Sequence, residues 1–130
     1  MSSSDSPSAL DLVLPGAADT RQEAMQWLAS LAKERRLSPK TVEAYARDLR
    51  QFLTFLTGHL GEPPSVKAIL ELKPLDIRSF LAARRMGSVQ SRSLMRQLAA
   101  LRSFARHLER EGHGTASAFA ASALHSRAVR

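Results

Sequence analysis

Apolar and charged positions separate most clearly between Ser88 and Glu111. If this stretch is a helix, with about 100° between successive residues, its apolar residues fall on one side and its arginines on the other. The apolar side consists of Leu94, Leu98, Leu101, Ala105 and Leu108, and the arginine side of Arg92, Arg96, Arg102, Arg106 and Arg110. We predict a helix with Ser88 as N-cap that ends before Gly112 and packs by its apolar side against other helices. The arginine side is left for water or for an anionic partner.

Two long helices are predicted before it. The sequence Thr20-Arg-Gln-Glu23 has the spacing of a capping box and predicts a helix from near Arg21 to about Arg36. Its predicted buried residues are Ala24, Met25, Leu28, Leu31 and Ala32, with Trp27 at the border of that face. Ser38 and Pro39 suit the N-cap and the first position of a second helix, which extends to about Thr57. Its apolar set predicts the centre of the core and comprises Val42, Tyr45, Ala46, Leu49, Phe52, Leu53 and Leu56.

Shorter elements complete the prediction. The glycines and prolines at Gly58, Gly61, Pro63 and Pro64 predict a loop after the second helix. A helical turn is predicted over Ser65–Leu72, a helix from Pro74 to about Met86 with Ile77, Phe80 and Leu81 inward, and a weak last helix over Thr115–Leu124. No segment alternates convincingly as a strand. We therefore predict an all-α fold, a compact bundle of four to five helices over residues 19–124, preceded by a flexible leader over residues 1–18.

Composition limits the class of protein. The chain has 130 residues, of which 44% are hydrophobic and none is cysteine. The lack of cysteine excludes disulfides, thiolate catalysis and sulfur-ligated metal sites, and agrees with a cytoplasmic location. No apolar run approaches the roughly 18 residues of a membrane span. The first nineteen residues contain no Lys or Arg, so they do not resemble a signal peptide.

The positive charge is concentrated in the last third of the chain. Residues 1–83 carry ten Lys or Arg and ten Asp or Glu, whereas residues 84–130 carry nine and two, so the whole net charge of +7 lies in the second segment. Such a distribution favours an anionic partner, either nucleic acid or an anionic membrane surface. The alternative is a solvated helix face with an excess of arginine.

Patterns for catalysis or metal binding are not found in the sequence. His59, His107, His113 and His125 lie mostly at or beyond predicted helix ends, and no pair has the HExxH spacing. There is no glycine-rich phosphate loop or GxSxG motif, and the carboxylates are scattered. We predict no metal, no cofactor, no small-molecule substrate and no membrane partner. Tyr45, the only tyrosine, lies on an apolar helix side and is interpreted as a core residue rather than a nucleophile.

Two predicted helix starts have the chemistry of nucleic-acid contacts. Ser38-Pro-Lys40-Thr41 is followed by Arg47, and Ser88-Val-Gln90-Ser-Arg92-Ser93 by Arg96. Both offer hydroxyl groups, long polar side chains and free backbone N–H groups at the positive end of a helix. Phosphate oxygens bind such donors, and arginine can also bind a guanine edge. This pattern favours nucleic-acid binding over helix capping and solvation alone.

Three segments in order carry a family resemblance. They are Leu37-Ser-Pro-Lys-Thr-Val-Glu-Ala-Tyr-Ala-Arg-Asp-Leu49, Leu75-Asp-Ile-Arg-Ser-Phe-Leu81 and Ser91-Arg-Ser-Leu-Met-Arg-Gln-Leu-Ala-Ala-Leu-Arg-Ser-Phe104. Together they resemble the N-terminal core-binding domain of tyrosine site-specific recombinases, in particular the XerC/XerD branch and XerC more than XerD. The resemblance covers roughly Thr20 to Ala121.

The resemblance implies a SAM-like helical fold that forms one half of a clamp around duplex DNA. By position, the implied DNA contacts come from the second and fourth main helices: Lys40, Thr41, Ala44 and Arg47, and Gln90, Arg92, Ser93 and Arg96. In this family a XerC–XerD heterotetramer resolves chromosome dimers, a DNA recombination that serves chromosome partition at cell division. The reaction passes through a covalent phosphotyrosine and needs no metal or nucleotide cofactor.

The sequence departs from the family pattern at its end. The family's catalytic domain, with its His-x-x-Arg motif and nucleophilic tyrosine, is not found before Arg130, so we expect this chain not to cleave DNA and residues 125–130 to begin a linker. The Asn-Pro that commonly follows the last core-binding helix is replaced by Thr115–Ala121. Two alternatives stay open: a helical protein-interaction module that docks an acidic partner through its arginine side, and an intact enzyme.

Overall fold

The computed structural model describes residues 14–87 and 89–119. These residues form five helices: α1 (Ala18–Lys33), α2 (Pro39–Leu60), α3 (Val66–Leu70), α4 (Pro74–Met86) and α5 (Ser91–Arg110). Residues 117–119 are also helical, and none of the described residues lies in a strand. The predicted all-α class is confirmed. The chain divides into two compact units, Met1–Pro64 and Ser65–Arg130.

Helix α1 of the first unit begins one turn earlier than the sequence predicted. Its N-cap is Ala17, whose side chain makes no capping hydrogen bond, so the predicted capping box at Thr20 and Glu23 is wrong. Thr20 lies inside the helix and is fully buried. Its hydroxyl donates to the Pro64 carbonyl at 2.9 Å, and this partner, 44 residues away, satisfies a polar group that would otherwise be costly to bury.

The buried face of α1 is rotated relative to the prediction. Ala24, Leu28 and Leu31 are buried as predicted, but Ala32 is exposed and Met25 only half-buried. Trp27, predicted at the border, is 1% exposed and stacks on Tyr45 of α2, with ring centroids 6.2 Å apart. The large indole ring is therefore part of the contact between α1 and α2, where its burial removes a large apolar area from water.

Helix α2 begins as predicted and ends later. Ser38 is the N-cap and Pro39 the first helical residue. Ala46, Leu49, Phe52, Leu53 and Leu56 are buried as predicted, while Val42 and Tyr45 are half-buried. The helix continues through Gly58, which the sequence had placed in the loop, and ends at Gly61 with a left-handed φ of 88°. The Gly61 N–H donates to the Thr57 carbonyl, which satisfies a terminal backbone group.

In the second unit, α3 and α4 agree with their predictions. Ser65 caps α3 by accepting the Ala68 N–H at 3.1 Å. Helix α4 begins at Pro74, and Asp76 accepts the Lys73 N–H at 2.7 Å. Ile77 and Phe80 are buried as predicted, whereas Leu81 is half-buried.

Helix α5 confirms the predicted apolar side and extends it. All five predicted apolar residues are buried. Five further residues of the helix are also buried: Gln97, Ala100, Ser103, Phe104 and His107. The helix begins at Ser91 with Gln90 as N-cap, so its start lies later than predicted, and Ser88 itself lies outside the described residues. After α5, Ala116, Ala118 and Phe119 are buried. The predicted leader up to residue 13, the rest of the last helix and the linker lie outside the described residues.

Candidate nucleic-acid interface

The eight predicted contact residues lie in two groups at helix starts, one in each unit. Lys40, Thr41, Ala44 and Arg47 lie in the first three turns of α2, and Gln90, Arg92, Ser93 and Arg96 cap and begin α5. The first group belongs to the unit that ends at Pro64 and the second to the unit that begins at Ser65. Each group is therefore described by itself.

Three members of the α2 group lie on the side opposite the buried residues of that helix. At about 100° per residue, Lys40, Ala44 and Arg47 fall within roughly 60° of one another. Lys40 and Arg47 are exposed, and Ala44 is half-buried between them. Because alanine is short, this arrangement brings the helix backbone close to any surface that the two cations contact.

Thr41 combines a structural role with an available donor. Its backbone N–H donates to Ser38 Oγ at 3.2 Å, and the Ser38 hydroxyl donates to Thr41 Oγ1 at 3.0 Å. A hydroxyl can accept and donate at the same time, so the half-buried Thr41 can still donate to an acceptor such as a phosphate oxygen. Ser38 thus holds Thr41 in place at the helix start.

The α5 group occupies the first two turns of the helix. Gln90, Arg92 and Arg96 are exposed, and Ser93 is half-buried. Arg92 and Arg96 are four residues apart and lie on the same side of the helix. No capping hydrogen bond is made by the Gln90 side chain. Gln90 therefore presents an amide beside the first backbone N–H groups of α5.

The first turns of these two helices differ from those of the other long helices. Neither α2 nor α5 has an acidic residue in its first turn, whereas α1 has Asp19 and α4 has Asp76 there. Acidic side chains at a helix N-terminus neutralise its partial positive charge. In α2 and α5 that charge adds to the nearby Lys and Arg, so both starts suit an anionic group.

The net charge of the two units differs strongly. By sequence, residues 1–64 carry seven Lys or Arg and eight Asp or Glu, a net charge of −1, and residues 65–130 carry twelve and four, a net charge of +8. Attraction of a polyanion at long range therefore comes from the second unit. Lys40 and Arg47 belong to the first unit, which has no excess of positive charge.

Two of the remaining arginines of α5, Arg102 and Arg106, differ from Arg92 and Arg96 in their surroundings. Arg106 and Arg110 are exposed, and Arg102 is half-buried. Arg102 and Arg106 line a shallow pocket of about 120 Å³ together with Glu109, Thr115 and Phe119. The segment after α5 therefore lies beside Arg102 and Arg106.

Sequence reasoning passed over Met95. Its side chain is 62% exposed and lies between Arg92 and Arg96 in sequence, away from the buried side of α5. An apolar residue that departs from the apolar spacing of its helix is the signal that would have identified it. Exposed apolar groups beside arginines suit contacts with the methyl groups of thymine in a major groove.

The described residues offer few other sites. They contain no group of three or more His, Cys, Asp or Glu side chains arranged to hold a metal ion. His107, predicted near a helix end, is buried within α5 and stacks on Phe104 with ring centroids 6.3 Å apart. Among the described helices, none is long and apolar enough to cross a bilayer.

Comparison with curated proteins finds similar chains that are named tyrosine recombinase XerC. The chain is 61% identical over 109 residues to the one from Methylobacterium sp. (strain 4-46), which covers 84% of this chain and 34% of the relative. It is 61% identical over 111 residues to that of Methylobacterium nodulans, covering 85% and 34%. The identity to that of Rhizobium meliloti is 56% over 107 residues, covering 82% and 34%. The chain thus spans about a third of the length of these relatives.

A family model supports the same assignment. No solved structure matches the chain significantly. The sequence-family model of the phage integrase N-terminal SAM-like domain matches residues 24–112. These residues include α2 to α5 and most of α1. The predicted SAM-like class is thereby confirmed, and the chain belongs to the family of phage integrase N-terminal SAM-like domains.

Proposed function

We propose that this chain binds duplex DNA sequence-specifically as the N-terminal domain of a XerC-like tyrosine recombinase. The observation that carries the proposal is the chemistry of two helix starts, α2 and α5. Each combines exposed cations, a hydroxyl donor and a first turn without acidic residues. This combination suits phosphate groups, and the similarity to proteins named tyrosine recombinase XerC supports DNA as the source of those phosphates.

The predicted contact residues differ in the part of the DNA that they suit. Lys40, Thr41, Arg47 and Ser93 suit phosphate oxygens, because their charges and hydroxyls can set register without reading sequence. Gln90, Arg92 and Arg96 suit base edges, since amide and guanidinium groups form paired hydrogen bonds with adenine and guanine. Ala44 and Met95 suit apolar contact with a groove.

In the complete recombination reaction, this chain binds the duplex, and residues of the family's catalytic domain cleave the strand. Its only tyrosine, Tyr45, is half-buried and stacked on Trp27, so we assign it to packing rather than nucleophilic attack. We assign the whole protein to resolution of chromosome dimers with a XerD-like partner, in the cytoplasm, as a step in chromosome partition at cell division. No metal or nucleotide cofactor enters this assignment.

The direct test is binding of the chain to a labelled duplex between about 50 and 200 mM salt. We expect the logarithm of the affinity to fall linearly with the logarithm of the salt concentration. Binding of a labelled acidic polypeptide of equal charge is measured in parallel. If the polypeptide binds and duplex DNA does not, even at the lowest salt, the chain is instead a protein-interaction module and the proposal is wrong.

A further inference from the structure

Arg84, near the end of α4, connects this helix to the start of α5. Its Nε donates to Oε1 of Gln97 at 3.2 Å. Its carbonyl accepts the N–H of Gly87 at 3.0 Å and the N–H of Val89 at 3.2 Å. One residue thus binds both the connection between the two helices and a side chain of α5. All of these residues belong to the second unit.

Gln97 is an unusual choice for its position. It is 1% exposed and lies among the apolar residues of α5, where an unsatisfied amide would be costly. It directly follows Arg96 in sequence, so the rotation of α5 that places Gln97 against Arg84 also fixes the direction of Arg96. Side chains whose contacts lock a helix in one rotation give a binding site its geometry.

Because the Gln97 amide is neutral, it accepts the hydrogen bond of Arg84 without cancelling the positive charge of this arginine. A carboxylate at position 97 would bind the guanidinium more strongly, but it would cancel one positive charge beside the candidate DNA contacts. Gln97 keeps the hydrogen bond and leaves the charge of Arg84 uncompensated by this partner. The pair therefore suits a site that needs both a fixed helix and a positive field.

We propose that the Arg84–Gln97 pair positions Gln90, Arg92 and Arg96 for reading DNA sequence, and that Arg84 acts through this pair rather than as a phosphate contact. The proposal rests on the DNA-binding function proposed above. Arg85 offers a matched control, because it follows Arg84 on the same helix, carries the same charge and is exposed.

The experiment compares two duplexes with the 130-residue chain. One is the preferred duplex selected by the wild-type chain from a randomised pool, and the other is a scrambled duplex of equal composition. The readout is the ratio of the two affinities, measured with Arg84→Lys, Arg85→Lys, Gln97→Met and Gln97→Glu. Thermal unfolding is recorded in parallel, and binding is measured well below the midpoint of unfolding.

We expect Arg84→Lys and Gln97→Met to lower this ratio roughly three- to tenfold, as coupled neighbours do. The salt dependence of Arg84→Lys should stay unchanged, because lysine keeps the charge but cannot reproduce the Nε geometry. Gln97→Glu should weaken binding to both duplexes alike and keep the ratio, since it retains an acceptor while adding negative charge. Arg85→Lys should behave as wild type.

Three results would overturn the proposal. The first is an unchanged ratio in Arg84→Lys, and the second is an equal change in Arg84→Lys and Arg85→Lys. The third is an unchanged ratio in Gln97→Met or, where that variant does not fold at the assay temperature, a lost ratio in Gln97→Glu.

A measurement without DNA separates this proposal from the proposed function. Amide chemical shifts of residues 91–94 should change in Arg84→Lys, while those of residues 39–42 on α2 should not. Shifts at residues 91–94 that equal those of wild type would overturn the positioning role. Failure of the wild-type chain to bind either duplex would instead overturn the proposed function.

Discussion

Arg92 and Arg110 offer the sharpest comparison between single residues. Both are exposed arginines on α5, and they are eighteen residues apart, which is about five turns, so they lie on the same line along the helix. Arg92 is in the first turn, beside the positive end of the helix, and Arg110 is in the last turn. Substituting each of them therefore separates the effect of position on the helix from the effect of charge on DNA affinity.

We predict that Arg92→Gln weakens duplex binding roughly tenfold, as expected for loss of a cation that contacts a phosphate or a base. Arg110→Gln, with the same change in net charge, should weaken binding about twofold or less. Fluorescence anisotropy with a labelled duplex at about 100 mM salt measures both. Equal losses in the two variants would mean that binding depends on total charge and that the helix start has no special role.

Leu98 and Met95 form a second pair on the same helix. Leu98 is 3% exposed and Met95 is 62% exposed. Leu98→Ala should lower the free energy of unfolding by about 2 to 5 kcal/mol, because it leaves a cavity in the core. Met95→Ala should change it by no more than about 0.5 kcal/mol, while weakening binding to thymine-containing duplexes. Chemical denaturation checks the first two values.

Replacing thymine by uracil in the duplex tests the proposed role of Met95. Uracil lacks only the methyl group, so the wild-type chain should lose affinity for the substituted duplex and the Met95→Ala chain should not. A wild-type chain that binds both duplexes equally would exclude methyl contact as the reason for the exposure of Met95.

Single residues also mark where sequence reasoning is limited. Leu94, Leu98 and Leu101 could be placed in the core because apolar spacing on a helix reports burial directly. The burial of Thr20 and Gln97 could not be predicted, because each depends on a partner far away in sequence: the Pro64 carbonyl and the Arg84 guanidinium. The positioning role proposed for Gln97 therefore could not be predicted from the spacing of apolar residues.

At the scale of elements, helix starts with proline were predicted well. Ser38-Pro39 and Pro74 begin helices in the structure as in the sequence, since proline fixes φ and lacks the N–H that a first turn leaves unpaired. Glycine did not predict helix ends in the same way. Gly58 has no special backbone conformation and lies inside α2, whereas Gly61 has a φ of 88° and ends it.

We therefore predict opposite effects for the two glycines. Gly58→Ala should raise the free energy of unfolding by about 0.5 to 1 kcal/mol, because alanine is the better helix former and a Cβ there meets no atom of the described residues within 4 Å. Gly61→Ala should lower it by about 1 kcal/mol, because alanine is strained at positive φ. Thermal unfolding of the two variants checks both signs, and a loss of stability in Gly58→Ala would indicate that the helix ends before residue 58.

At the scale of the whole molecule, the net charge and the family membership both support the proposed binding of DNA. The net charge of +7 was visible in the sequence, as was the order of helices that matches the family. How the positive charge divides between the two units was not visible until the structure placed their boundary after Pro64. Net charge alone, however, predicts attraction to any polyanion and no particular site.

Two variants with equal net charge distinguish DNA binding at a defined site from attraction by the total positive charge. One replaces the four cations of the candidate interface, Lys40, Arg47, Arg92 and Arg96, by glutamine. The other replaces four exposed arginines elsewhere, Arg35, Arg36, Arg85 and Arg110. Each lowers the formal net charge from +7 to +3, so attraction at long range should weaken similarly in both.

The salt dependence of duplex binding should nevertheless differ. If Lys40 and Arg47, the two cations assigned to phosphates, each neutralise one phosphate, they contribute about −2 to the slope of log affinity against log salt. The first variant should lose this contribution, and the second should keep most of the wild-type slope, since counterions are released only where a cation displaces them from the DNA. Equal slopes in the two variants would locate the phosphate contacts outside the starts of α2 and α5.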